Sequence, residues 1–91
     1  MDIVTYAGEL GPACSFELDH ELADLTTAVR PVVTVDLSAA TRIHPAVLSV
    51  VIRHQRQARR QGGELHLIAP LEPAARHTLD QVGLITVMAV A

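Results

Sequence analysis

The run Val32-Val33-Thr34-Val35-Asp36-Leu37 constrains this chain more than any other segment. It places three valines and a threonine in six residues, opens after Pro31 and closes on the polar stretch 38–41. β-branched side chains are stiff and pack well on a pleated surface. So short and apolar a run suits the central strand of a sheet covered by helices. The remainder of the 91 residues must supply those helices and the strands beside them. A domain this small buries only about 60 to 65% of the surface its unfolded chain exposes. With 49% hydrophobic residues and 2% aromatic ones, the interior has to be filled by Val, Leu, Ile and Ala.

The punctuation of the chain divides it into alternating elements. A first strand is expected over 3–6, ended by Gly8. Gly11-Pro12 then turns into a second strand over 13–18, where Cys14, Phe16 and Leu18 alternate with Ser15 and Glu17. Asp19 serves as N-cap to a helix over 20–29, with Leu22, Leu25 and Val29 on one face, and Pro31 blocks its continuation. After the central strand, Pro45 opens a long helix, since its missing N–H has no intrahelical partner at the first position. Gly62-Gly63 closes that helix. A strand through Leu65, Leu67 and Ile68 follows, and then a helix framed by Pro70 and Pro73, with Leu71, Ala75, Leu79 and Val82 as its buried stripe. A last strand is expected over 85–90. The expected fold is a single α/β domain over 1–91, in the order β-β-α-β-α-β-α-β. Its sheet is mixed but mostly parallel, with right-handed crossovers.

Charge and spacing exclude several function classes. The net charge is −3, against the basic surface that nucleic-acid binding requires. Arg53, Arg56, Arg59 and Arg60 concentrate +4 in one short stretch, which leaves −7 for everything else. Towards the end of a helix that cluster complements the dipole. One cysteine, Cys14, permits neither an internal disulfide nor a four-thiolate metal site, and it fits a reducing cytoplasm. No apolar run approaches a membrane span, and no signal peptide is expected. His20, His44, His54, His66 and His77 include no pair at zinc-binding spacing, so no metal is expected. No nucleophile elbow and no glycine-rich phosphate loop occurs, so a non-enzymatic protein without a cofactor is expected.

Three segments, 18–21, 33–43 and 62–67, together resemble the STAS (anti-sigma factor antagonist) family. Leu18-Asp19-His20-Glu21 is similar to its strand-to-helix corner, with Phe16 where a glycine is common. Residues 33–43, Val-Thr-Val-Asp-Leu-Ser-Ala-Ala-Thr-Arg-Ile, match its central strand and the loop that leaves it. Gly62-Gly63-Glu64-Leu65-His66-Leu67, with Leu79 to Leu84 downstream, is similar to its closing strand and helix end. The family motif after this loop reads Asp-Ser-Ser or Asp-Ser-Thr, then Gly-Leu. Here the chain has His44-Pro45-Ala46-Val47-Leu48. In regulatory members the first serine is phosphorylated by an anti-sigma kinase, at a helix N-terminus suited to an anion. Pro45 has no hydroxyl, so that switch does not carry over. Thr41 and Ser49 are the substitute acceptors, with Ser38 behind them. Local backbone bonding is the preferred reading for all three. His44 stands in place of the family's acid, either titrating near neutral pH or simply opening the helix.

The resemblance implies a bacterial, cytoplasmic protein-binding module acting in transcription regulation. It would dock an anti-sigma factor or kinase-like partner through Asp19, Ser38, Thr41, Arg42, His44, Pro45 and Ser49. Two alternatives stand beside it: an accessory subunit of a transporter ATPase, and a binder of a small anion at the helix N-terminus. Self-association is left open. Pro45→Ser combined with His44→Asp is expected to restore phosphorylation by an anti-sigma kinase while leaving the circular dichroism spectrum unchanged. Mass spectrometry after incubation with kinase and ATP checks the first expectation.

Overall fold

The computed structural model describes residues 2–81. The expected central strand is β3, Val32–Asp36, flanked by β1, Asp2–Thr5, and β5, Glu64–Ile68. Both pairings are parallel, with Val4 opposite Val35 and Val35 opposite Leu67. A second parallel pair joins β2, Gly8–Leu10, to β4, Ala40–Ile43. Helix α1, Pro12–Thr26, connects the first strands to β3, α2, Pro45–Arg60, leads to β5, and α3, Pro73–Gln81, follows. Two right-handed crossovers that step in the same direction across one sheet put α1 and α2 on the same face. There they pack against each other, and α3 rests on β4. Val4, Val33, Val35, Leu65 and Leu67 meet Leu18, Leu22, Val47, Leu48 and Val51 between sheet and helices. Each fully buried Val or Leu contributes about 1.5–3 kcal/mol relative to exposure.

The α/β class and the mostly parallel sheet are as the sequence predicts; in the described residues every pairing is parallel. Three local expectations are corrected. Residues 13–18 are not a strand: Ser15, Leu18, Leu22 and Thr26 form one buried helical stripe, while Phe16 is 76% exposed. Pro12 sits in the first turn of α1 behind Gly11 as N-cap, so Asp19 lies mid-helix and caps nothing. The second strand is instead the shorter Gly8–Leu10, and α1 stops at Thr26, leaving Val29 84% exposed. Part of the loop after β3 forms β4, because Gly8 to Leu10 offers it an edge. Leu71 precedes α3 and is 81% exposed, so Ala75 and Leu79 carry that helix's burial alone. Val82 and the expected last strand over 85–90 lie outside the described residues.

The end of α2 closes as its two glycines predict. Gly62 takes φ +78°, the left-handed conformation that only glycine adopts without strain. Gly63 runs so close to Pro31 that a Cβ would lie 2.0 Å from the Pro31 carbonyl oxygen. Glu64 N–H donates to that same oxygen at 2.7 Å, which starts the β3–β5 ladder. Gly63→Ala is therefore expected to destabilise the fold by more than about 2 kcal/mol, through steric overlap that must break this bond. Gly11→Ala has open space at its Cβ and is expected to change stability by less than about 1 kcal/mol. Urea denaturation of the two variants checks the contrast.

Candidate functional site

The N-terminus of α2 is built by its cap residue and its first residue. His44 adopts extended backbone (φ −72°, ψ 140°), and its N–H donates to the Leu10 carbonyl at 2.8 Å, pinning the corner to β2. Its Nδ1 accepts from Ala46 N–H at 3.1 Å, so the ring nitrogen does the work of an N-cap oxygen. Pro45 then fills the first helical position and has no N–H to offer. Val47 N–H donates to the His44 carbonyl at 2.9 Å. The donors that an anion would need at this helix end are thus absent at 45 and already bonded at 46 and 47. His44 is therefore a structural cap, with Nδ1 as the accepting atom.

A cleft of about 440 Å³ opens in front of this corner. Residues 9–12 form one wall, residues 42–45 another, and Ala74 and Thr78 of α3 a third. Two helix starts, Gly11-Pro12 and His44-Pro45, meet there. Glu9 and Arg42 are neighbours across the β2–β4 pairing and place opposite charges on its rim. The cleft therefore combines Leu10, Pro12, Ile43 and Pro45 with one acid and one base, a surface suited to a protein side chain or turn.

Of the residues proposed from sequence, Arg42, His44 and Pro45 line this cleft. Thr41 is exposed on β4 beside them, and Ser49 is exposed one turn into α2. The Ser49 hydroxyl donates to the Pro45 carbonyl at 3.2 Å, the local bond expected of it. Ser38 follows β3, and its N–H donates to Asp36 Oδ1 at 2.9 Å. The Ser38 hydroxyl and N–H together hold the Asp36 carboxyl below the ordinary aspartate value. Asp19 is turned elsewhere, to the seam between α1 and α2. Sequence reasoning did not find the part that Leu10, Gly11, Ala74 and Thr78 play. Only the β2–β4 pairing and the packing of α3 on β4 bring them to the cleft.

The α1–α2 seam holds a polar network that no local spacing announces. His54 is 7% exposed, and its Nε2 lies 2.6 Å from Asp19 Oδ1 while its Nδ1 lies 3.0 Å from the Thr26 hydroxyl. Asp19, an acceptor only, requires a proton on Nε2. Thr26 has one hydroxyl proton, shared between Nδ1 and the Leu22 carbonyl at 2.9 Å. A neutral ring takes that proton on Nδ1, whereas a charged ring donates to the hydroxyl and leaves it to Leu22. Both states are satisfied, and no buried side-chain polar atom among the described residues lacks a partner. Arg53 also donates to Asp19 Oδ1 from the exposed side. Elsewhere, Tyr6 donates to Glu21 at 2.7 Å, and burial followed by that bond pushes the phenol up. Burial likewise raises the Cys14 thiol. Among the described residues no three His, Cys, Asp or Glu side chains gather as a metal site. Among them, too, no helix is long and apolar enough to cross a membrane.

Set against known protein families, residues 2–89 match the family described as Mlab, STAS domain. No curated protein matches the chain.

The seam carries a pH signature. The hydrogen bond from His54, then that from Arg53, lowers the Asp19 carboxyl below its ordinary 3.8. A carboxyl lowered in the folded state contributes stability above its unfolded value and loses it as pH falls through the folded value. Asp19→Asn is therefore expected to flatten the part of the acid-unfolding profile below about pH 4. Asp19→Ala leaves the buried His54 Nε2 without its acceptor and is expected to cost about 1–3 kcal/mol at pH 7. Urea denaturation across pH checks both.

Proposed function

The chain belongs to the STAS family, and from that premise we propose that it is a non-enzymatic protein-docking module whose contact surface is the cleft and corner at the start of α2. One observation carries this reading. Pro45 and His44 close the helix start to phosphate chemistry, while the cleft in front of it stays open and amphipathic. Regulation at this corner then rests on partner binding alone, and the module is permanently competent to bind. The partner is an anti-sigma factor or kinase-like protein in the cytoplasm. Arg42, His44, Pro45 and Thr41 lie at the contact, with Ser38 and Ser49 at its margins. Asp19 contributes indirectly, by holding α1 to α2 behind the corner.

A second reading, an accessory subunit of a transporter ATPase, is favoured by the same Pro45. A subunit that stays assembled has no need of release by phosphorylation. Binding of a small anion at the α2 start is disfavoured, since the N–H groups it would use are absent or bonded.

Arg42→Glu inverts one charge at the rim without touching the core and is expected to weaken partner capture by about tenfold or more. Affinity capture of wild type and variant, with the bound proteins identified, checks this. Capture of an anti-sigma-type protein supports the first reading and capture of an ATPase the second. Capture unaffected by Arg42→Glu removes the corner from both.

A further inference from the structure

Arg53, Arg56 and Arg60 stand at i, i+3 and i+7 on α2, so they form one ridge about 10 Å long on its exposed side. Compensation of the helix dipole accounts for Arg59 and Arg60, which lie in the last turn. It does not account for Arg56 and Arg53, about one and two turns earlier. Arg59 is also set apart, because it lies with Gln55 on the flank that faces residues 63–66 of β5 and its approach. Among the described residues, Arg53 has Asp19 as its only ion-pair partner, and Arg56 and Arg60 have no carboxylate within ion-pair distance.

Beside this ridge lies a second cleft of about 310 Å³, between the C-terminal half of α1 and α2. Ala23, Thr27 and Gln57 line it together with Arg53, His54 and Arg60, and no carboxylate does. Its deepest polar groups, on Thr26 and His54, are satisfied within the protein, so they make no demand on an occupant. Arg53 already donates to Asp19, and Arg60 Nη1 donates to Gln57 Oε1 at 3.3 Å, so the further N–H groups of each planar guanidinium are what the rim offers a carboxylate.

We propose that this α1–α2 cleft and its arginine ridge form a second interaction surface, separate from the α2 start, that takes an acidic helical segment of a protein partner. Carboxylates spaced three and four residues apart on a helix repeat at the pitch of Arg53, Arg56 and Arg60. Charge decides between an acidic protein segment and an extended polyanion. The molecule as a whole carries −3 and the stretch holding the ridge +4, so attraction is confined to the ridge. Screening over about 8 Å at physiological salt limits it to direct contacts. A nucleic acid or an anionic membrane would have to lie across the acidic remainder of the surface.

The test titrates the ¹⁵N-labelled protein with an amphipathic peptide of about fourteen residues bearing glutamates three and four residues apart. The same peptide with glutamine in place of glutamate, a single-stranded oligonucleotide and phosphatidylglycerol vesicles are the comparison probes. The glutamate peptide is expected to shift amides of residues 23–27 and 53–60. The double variant Arg56→Glu, Arg60→Glu should weaken that binding about tenfold or more, whereas Arg42→Glu at the other cleft should leave it unchanged. Both arginines are exposed and make no core contact, and circular dichroism verifies that the variant folds. If it does not, the charge-neutral Arg56→Gln, Arg60→Gln pair replaces it. The proposal is overturned if the glutamate peptide produces no shifts, if its binding survives the double variant, or if the oligonucleotide or vesicles bind the ridge more tightly. Partner capture at the α2 start is read separately, so failure of either surface leaves the other standing.

Discussion

Everything in this molecule depends on β3 being hydrogen-bonded in parallel on both edges. A parallel neighbour can be reached only by a crossover, and two right-handed crossovers in the same direction lay α1 and α2 side by side on one face. That placement buries Leu18 and Leu22 of α1 against Val47, Leu48 and Val51 of α2. It also decides where the helices begin and end. The start of α2 emerges beside β2 and β4, and its end returns to Pro31 through Gly62 and Gly63. The two clefts sit at these places, one before the helix start and one along the α1–α2 seam.

The seam shows how a small aliphatic core tolerates a buried imidazole. An unpaired polar group there would cost about 1–3 kcal/mol. His54 avoids the cost by bonding at both nitrogens, to Asp19 and Thr26, on the helix that packs against its own. The Thr26 hydroxyl reaches both His54 Nδ1 and the Leu22 carbonyl, so it ties the ring to the backbone of α1. The network supplies directional bonds between two helices whose other contacts are nondirectional.

At the start of α2, chemistry and fold part company. The STAS architecture needs a helix that starts after β4, and proline suits the first position of that helix as well as serine does. A phosphorylation switch needs a hydroxyl and free N–H groups at the same point, and Pro45 with the His44 cap provides neither. Docking asks only for a shaped, amphipathic surface, and the cleft lined by residues 9–12 and 42–45 meets that requirement without them.

Much of this was legible in the residues. The β-branched run at 32–37, Pro45 at the helix start and Gly62-Gly63 at its end report local backbone preferences, and each appears where its chemistry places it. The misreading of 13–18 as a strand has an equally local cause. Alternation of Cys14, Phe16 and Leu18 satisfies a period of two, while Ser15, Leu18 and Leu22 satisfy the helical period. Only the packing of α1 on α2 selects between them, burying Ser15 and exposing Phe16. The loop at 40–43 likewise became a strand because β2 supplied an edge. By itself, then, the sequence determined the class of fold, the central strand, the long helix and the proline that opens it. These follow from single residues and their neighbours. Tertiary structure alone decided that Asp19, Thr26 and His54 meet, that Gly11 and Thr78 face Arg42 across a cleft, and that the arginines of α2 overlook α1. Those partners are far apart in the chain, and only strand pairing and crossover handedness bring them within reach.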